Sequence, residues 1–153
     1  MPTEFSLVGS FRISPNWQQQ LDASLVTDSV SALVSFSLAD GDGAGEADGY
    51  WRSLVAVGAN AVVSLDLTAL PLNVFGTAGT IDLADQKLLA VRNRSAVSGV
   101  LVELGTSVVA TLDPAGFLLV SSFKDGWSET TLDLTNATAT AVNVEVYIAG
   151  VRA

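Results

Sequence analysis

The chain has 153 residues, contains no histidine and no cysteine, and carries a formal charge of −9 from seven basic and sixteen acidic residues. A chain of this length can fold as one domain with a sizeable core, without a disulfide or a structural metal. The two missing residue types remove the commonest general base, the commonest metal ligand and all thiolate chemistry, and the negative charge disfavours binding to nucleic acid or to anionic membranes.

The N-terminal part of the chain alternates apolar and polar residues with the period of β-strands. Apolar side chains occupy most odd positions of residues 5–13 and the even positions of residues 30–38, with serines between them. Both segments are therefore predicted to be half-buried strands. Residues 16–26 fit either a helix or a short extended segment. We predict a single domain over residues 1–153, in which residues 1–28 form an N-terminal arm or an edge segment.

The next part of the chain consists of apolar runs separated by turn residues. The acidic, glycine-rich residues 40–49 predict a loop. Two alternating apolar runs, at residues 50–57 and 61–67, predict a hairpin around residues 58–60. Residues 70–79 contain a proline and two glycines, which predicts a crossing loop.

The stretch from residue 82 to residue 95 changes character twice. Residues 82–87 are polar and turn-like, residues 88–91 form an unbroken apolar run, and residues 92–95 are polar again. The apolar run predicts a central strand that is buried on both faces. A turn is predicted at residues 113–116, where Pro114 is expected to fix its own φ and Gly116 to take a positive φ. Further strands are predicted at residues 100–104, 107–112, 117–121, 131–135 and 142–148.

These elements predict an all-β fold. About eight to ten short strands at spacings near ten residues, with no long helix, are typical of an antiparallel β-sandwich or barrel. Loops of uneven length suit crossing connections better than an up-and-down meander. A jelly-roll-like antiparallel β-sandwich is therefore the predicted architecture.

The acidic loop is the one candidate for a metal site. Its carboxylates could supply the hard oxygen ligands that calcium prefers, and they are Asp40, Asp42, Glu46 and Asp48. The spacing begins like a helix-loop-helix calcium loop, but Ala44 and Trp51 stand where two further ligands belong. A flexible, solvated loop is the preferred interpretation, and no cofactor is expected.

Three arginines are candidates for contact with a partner. Arg92 and Arg94 are two positions apart at the end of a strand, so they project to the same side, and Arg52 is expected to join them. They could grip a carboxylate on another chain. The alternative is that they are solvated cations at a strand end.

The three tryptophans have two interpretations. Trp17, Trp51 and Trp127 could form a sugar-stacking platform, but packing in the core or in an interface is favoured for each. Trp17, in the N-terminal segment, joins the arginines as a candidate for partner contact. No serine has a histidine as its base, and the two lysines lie in turn-like contexts, so we expect no enzymatic activity.

The apolar content predicts self-association. Mean hydropathy is +0.45 although no apolar stretch reaches the roughly 18 residues that span a bilayer. The first ten residues lack the pattern of a signal peptide, so neither a membrane nor a secretory destination is expected. Apolar surface beyond the needs of one core favours a permanent homo-oligomer.

The order of motifs after residue 50 resembles small structural proteins of tailed bacteriophages. The motifs are WRSLVAVG (residues 51–58), VSLDLTAL (63–70), QKLLAVRNRS (86–95), PAGFLLVS (114–121), Gly126-Trp127 and LDLTNATATAVNVEVYIAG (132–150). The resemblance implies a β-sandwich subunit located in the virion, either a capsid decoration protein or a head or tail accessory component. It also implies contacts with copies of itself and with other virion proteins such as the major capsid protein. An alternative function is a carbohydrate- or receptor-binding β-sandwich module.

Overall fold

A computed structural model describes residues 6–13, 16–21, 24–29, 32–74 and 77–153. Side chains are described for all of these residues except 11–34 and 73–77. The described residues form β-strands and no helix, and thus contain no helix long and apolar enough to cross a membrane. The strands are β1 (Leu7–Ile13), β2 (Asn16–Leu21), β3 (Ser24–Ser29), β4 (Ala32–Leu38), β5 (Gly49–Val57), β6 (Ala61–Asp66), β7 (Leu70–Val74), β8 (Thr77–Ile81), β9 (Leu83–Asn93), β10 (Val100–Leu104), β11 (Ser107–Leu112), β12 (Phe117–Ser121), β13 (Thr131–Asn136) and β14 (Val142–Arg152).

Eight of these strands form the two packed antiparallel sheets of a sandwich. Sheet I has the strand order β12-β9-β14-β5, and sheet II has the order β11-β10-β13-β6. When these eight strands are numbered along the chain, the orders become 6-3-8-1 and 5-4-7-2, which is the jelly-roll arrangement of two Greek keys. The predicted all-β, jelly-roll-like antiparallel sandwich is confirmed.

The main core lies between the two sheets. Each strand directs alternate side chains inward, so the two inner faces supply rows of branched aliphatic residues. Among them Val91, Val144 and Leu134 are completely buried. Burial of one such side chain contributes about 1.5–3 kcal/mol. Sheet I is therefore covered on its inner side by sheet II, and its opposite side is here called the outer face of sheet I.

The prediction for residues 88–91 is confirmed, and the prediction of a turn-like segment before them is wrong. Strand β9 begins at Leu83, and all four residues of the apolar run are buried. Gln86 and Lys87 are also buried, at 1% and 3% exposure. The Gln86 amide hydrogen-bonds the backbone of Glu129 in both directions, and Lys87 Nζ donates to the carbonyl of Lys124 at 3.2 Å. Polar residues extend this strand because backbone groups satisfy their side chains.

The two strands predicted within residues 50–67 are present, but they do not pair with each other as the predicted hairpin. Strand β5 pairs with β14 in sheet I, and β6 pairs with β13 in sheet II. The chain crosses between the sheets at a turn where Asn60 adopts a φ of 52°. A short turn after an alternating run looks the same in sequence for a hairpin and for a sheet-to-sheet corner.

Residues 70–79, predicted to be a crossing loop, include two paired strands. Strands β7 and β8 form an antiparallel hairpin in which Pro71 faces Thr80. Proline is tolerated there because the hairpin is only two strands wide and leaves an edge without ladder bonds. Trp51 Nε1 donates to the Pro71 carbonyl at 2.8 Å, which ties this hairpin to the core.

The turn at residues 113–116 also differs from its prediction. The nitrogen of Gly116 donates to the Asp113 carbonyl at 2.8 Å, closing a turn with Pro114 at its second position. The positive φ, 60°, falls on Ala115 and not on Gly116. A Cβ at Gly116 would lie 2.8 Å from the Asp113 carbonyl oxygen, so glycine is required there by space.

The N-terminal strands form two antiparallel ladders with one shared register, here called the hairpin ladder. Strand β1 pairs with β4 from Leu7↔Leu38 onward, and β2 pairs with β3 as far as Leu21↔Ser24. The residue numbers of each pair add up to 45 in both ladders. Of residues 16–26, which the sequence left open between helix and extended segment, residues 16–21 and 24–26 are extended. Each ladder is roughly 20 Å long at the rise of a β-strand.

Candidate interaction surface

Neighbouring strands place charged and aromatic residues together on the outer face of sheet I. In the register of the sheet, Glu145 of β14 lies opposite Arg92 of β9 and Leu54 of β5. Tyr147, two residues along β14, lies opposite Ala90 and Arg52. Residues opposite one another in adjacent strands share a face, so these side chains form two adjacent rows.

Glu145 is the buried centre of this arrangement, with only 7% of its surface exposed. Arg52 donates to Oε1 at 2.7 Å, Arg94 donates to Oε2 at 3.2 Å, and the Tyr147 hydroxyl donates to Oε1 at 2.5 Å. The Arg52 guanidinium also lies 5.0 Å from the centre of the Tyr147 ring. A buried carboxylate is stable when its oxygens are paired in this way.

These donors hold Glu145 as an anion. The Tyr147 hydroxyl and Arg52 lower the pKa of Glu145 to about 2, with a further lowering from Arg94, while burial acts in the opposite direction. The same hydrogen bond to Glu145 raises the pKa of Tyr147. A carboxylate with so low a pKa is a poor general base at neutral pH. Its role in this structure is to join β5, β14 and the end of β9.

The three arginines predicted for partner contact lie around this one carboxylate. Arg52, Arg92 and Arg94 are here called the arginine patch, and with Glu145 they carry a net charge of +2 in a chain of net charge −9. The side chains of Arg52 and Arg94 remain 58% and 51% exposed. Arg52 and Arg94 form ion pairs with a carboxylate of their own chain, that of Glu145. All three still present positive charge to solvent.

Beside the arginine patch runs an apolar groove of about 730 Å³ between the outer face of sheet I and the start of the hairpin ladder. Most of its lining residues belong to sheet I and to β1. Phe117 and Leu119, on strand β12, are 50% and 37% exposed, and Val8, on β1, is 74% exposed. Its lining includes Leu88, Ala90, Tyr147, Phe117, Leu119 and Val8.

The hairpin ladder is attached to this face through its first residues. Leu7, Phe36 and Leu38 pack against Leu88 and Ala149 in a second, smaller core cluster. Phe36 also stacks on Phe123, with ring centres 5.5 Å apart. Gly9 is the register partner of Phe36, and a Cβ there would collide with the Phe36 ring.

The acidic loop does not gather its carboxylates around one point. Glu46 accepts a hydrogen bond from the Gly43 nitrogen at 2.9 Å, and Asp48 accepts from the Arg152 nitrogen at 2.7 Å. Within the described ranges no group of three or more histidine, cysteine, aspartate or glutamate side chains could hold a metal ion. Ala47 is fully buried and anchors the loop to the domain, whereas Asp40, Asp42 and Ala44 are exposed, so the acidic start of the loop is solvated.

Trp51 and Trp127, the two tryptophans whose side chains the structure describes, pack in or against the core and do not form an exposed platform. Trp51 is 3% exposed in the core, which confirms the packing interpretation for this residue. Trp127 is half-buried against the same core and lines a smaller cavity of about 270 Å³ between the sheets. Trp17 lies in β2, and its side chain is outside the described part of the structure.

Sequence reasoning missed the residues that make this face distinctive. Glu145 alternates with buried valines in β14, which predicts an exposed position, yet its arginine and tyrosine neighbours cover it. Phe117 and Leu119 belong to an apolar run without visible alternation, although their side chains point outward. Glu145 is the single charged residue within residues 142–151, and this is the one signal in the sequence that could have drawn attention to it.

The outer face of sheet I therefore combines an exposed apolar groove, a positive patch and an attached two-stranded ladder. Comparisons with protein-family models and with curated proteins found no match to this chain. This surface is the observation on which a function can be proposed.

Proposed function

We propose that the chain is a non-enzymatic structural protein of a bacteriophage virion, a capsid decoration or head or tail accessory subunit, which acts by oligomerisation and protein–protein contact. The observation that carries the proposal is the apolar outer face of sheet I. On it Leu54, Phe117 and Tyr50 are 60%, 50% and 38% exposed. Exposed apolar patches of this kind are typical of protein interaction sites. The virion location and the major capsid protein as a further partner follow from the sequence resemblance.

The polar chemistry of the face supports contact more than catalysis. The carboxylate of Glu145, whose pKa is strongly lowered, is held as an anion by two arginines and a tyrosine. These groups are paired with one another, so they serve rigidity and surface charge. Arginine and tyrosine beside apolar residues are the composition that protein interfaces favour.

One observation favours the alternative, a carbohydrate- or receptor-binding module. Tyr50 is exposed on the same face as Tyr147, Arg52 and Glu145, and an aromatic face beside polar groups suits a sugar ring. Trp51 is buried, so it cannot stack on a sugar ring. A glycan array with binding lost in Tyr50→Ala, and retained in the exposed control Val62→Ala on sheet II, would favour this alternative.

The experiment for the proposed function has two measurements. Sedimentation velocity at micromolar concentration is expected to show multiples of the 15.8 kDa chain. Mass spectrometry of purified particles is expected to find the chain in a fixed ratio to the capsid protein. A monomer in solution together with particles that lack the chain would overturn the proposal.

A further inference from the structure

The outer face of sheet I has two ends of opposite charge. The arginine patch marks one end, in the row of the sheet where Arg92 of β9 faces Glu145 of β14. The acidic loop marks the other end, because its Ala47 packs in one cluster with Leu88 and Ala149. These two residues face each other in a row four positions along β9 from the first. At the rise of a β-strand the two rows are about 13 Å apart.

The charges at both ends are accessible to another molecule. The arginine patch with Glu145 carries +2, and Arg92 is exposed. The acidic loop contains four carboxylates and no lysine or arginine. Two of these carboxylates, Asp40 and Asp42, are exposed at the start of the loop. Each copy of the chain therefore presents an exposed positive end and an exposed negative end on one face.

Exposed apolar side chains extend between the two charged ends. Phe117 lies in the row of Arg92, Leu119 lies in the following row, and Tyr50 lies in the row of Ala149 at the loop end. Their exposures are 50%, 37% and 38%. Protein interfaces combine apolar and aromatic residues of this kind with charges that fix the orientation of the partner.

The placement of the two ends determines which symmetry brings opposite charges together. A two-fold axis that lies in the contact plane and crosses the strands between the two ends reverses the strand direction in the second copy. The acidic loop of each copy then lies against the arginine patch of the other. Both copies use the same surface in such a contact, which is isologous and closes as a dimer.

We propose that the outer face of sheet I binds the same face of a second copy of this chain, in a two-fold dimer in which the acidic loop of each copy lies against the arginine patch of the other. The formal charge of −9 makes copies of this chain repel one another, and this orientation places opposite charges in contact. The inference rests on the self-association in the proposed function and specifies its surface and its symmetry.

The test uses two complementary charge variants of the full chain. The patch variant, Arg92→Glu, removes the net charge of the patch, and the loop variant, Asp40→Lys with Asp42→Lys, removes that of the loop. Each variant alone is expected to be folded by circular dichroism and monomeric by sedimentation. An equimolar mixture is expected to form a complex of two chains. In it the new glutamate meets the new lysines, and the unchanged patch meets the unchanged loop.

Two controls and a replacement variant keep the outcome interpretable. Arg92→Lys keeps the charge of the patch and should assemble like wild type. Glu103→Lys with Asp133→Lys makes the charge change of the loop variant at two facing positions of sheet II, and it should also assemble like wild type. If Arg92→Glu does not fold, Arg92→Gln replaces it, with an expected loss of roughly tenfold in the association constant.

The inference is overturned if the patch variant or the loop variant assembles like wild type, or if their mixture stays monomeric. A mixture that forms complexes larger than two chains would make the contact head-to-tail and would exclude the two-fold dimer. A patch variant that self-associates normally but no longer binds purified particles would make another virion protein the occupant. A wild-type chain that is monomeric would instead overturn the self-association of the proposed function, so the two failures are distinguishable.

Discussion

Arg52 of strand β5 donates a 2.7 Å hydrogen bond to the buried carboxylate of Glu145 on β14, although the two residues are 93 positions apart in the chain. The bond joins an edge strand of sheet I to the strand beside it, and Arg94 at the end of β9 completes the connection from the other side. The carboxylate of Glu145 thus connects three strands that line the groove, namely β5, β14 and β9.

The first prediction concerns the acid stability that this carboxylate supplies. The pKa of Glu145 is lowered in the folded chain, from its ordinary value of 4.5 to about 2. A lowered pKa stabilises the folded state above the unfolded pKa, and that contribution is lost as the pH falls toward 2. Glu145→Gln should therefore melt below wild type at pH 7, with a smaller gap at pH 3. Melting curves at both pH values, with Glu103→Gln on sheet II as control, check this; an equal gap at both pH values would contradict it.

The second prediction tests the close approach of β14 to β9. A Cβ on Gly150 would collide with the carbonyl oxygen of Asp85 and lie 3.0 Å from its carbonyl carbon. Gly150→Ala should therefore destabilise the chain by about 1–3 kcal/mol, the usual cost of overpacking. The matched control is Gly79→Ala in β8, where the added methyl group meets nothing within 4 Å. Urea unfolding of both variants measures the difference, and equal stabilities would refute the stated cause.

The third prediction concerns the turn before β12. Ala115 adopts a φ of 60°, a region that costs an L-residue about 1–2 kcal/mol and glycine very little. Ala115→Gly should stabilise the fold by up to about 1 kcal/mol, because the greater freedom of glycine in the unfolded chain offsets part of the gain. The reciprocal variant Gly116→Ala should destabilise it, since its Cβ would crowd the Asp113 carbonyl. A less stable Ala115→Gly variant would contradict this interpretation of the turn.

The fold was predictable for strands whose apolar and polar pattern in the sequence matches the burial of their side chains in the sandwich. The alternation in β14 and the double-faced apolar run in β9 identify sandwich strands without further information. Pairing was not predictable in the same way, because β5 and β6 are separated by a turn that suits a hairpin and yet lie in opposite sheets. The start of β9 was missed because Gln86 and Lys87 are buried through bonds to the backbone of the distant loop at residues 124–129.

The candidate surface was predictable only in part. The spacing of Arg92 and Arg94 placed them on one side of the chain, and Arg52 was correctly grouped with them. The carboxylate that Arg52 and Arg94 share, Glu145, could not be identified because it lies on a strand about 50 positions after Arg94 in the chain. The hairpin ladder shows the same limit, since the constant register between β1 and β4 links residues at both ends of a 32-residue segment.

The most direct test of the central claim is the sedimentation of wild type beside two matched variants at the same micromolar concentration. Phe117→Gln removes an apolar side chain from the outer face of sheet I, and Val62→Gln does so on sheet II, with original exposures of 50% and 59%. Wild type and Val62→Gln should sediment as multiples of 15.8 kDa, and Phe117→Gln should shift toward the monomer while keeping its fold. A wild-type chain that sediments as a 15.8 kDa monomer, or a Phe117→Gln variant that assembles like wild type, would contradict the claim that this face mediates assembly.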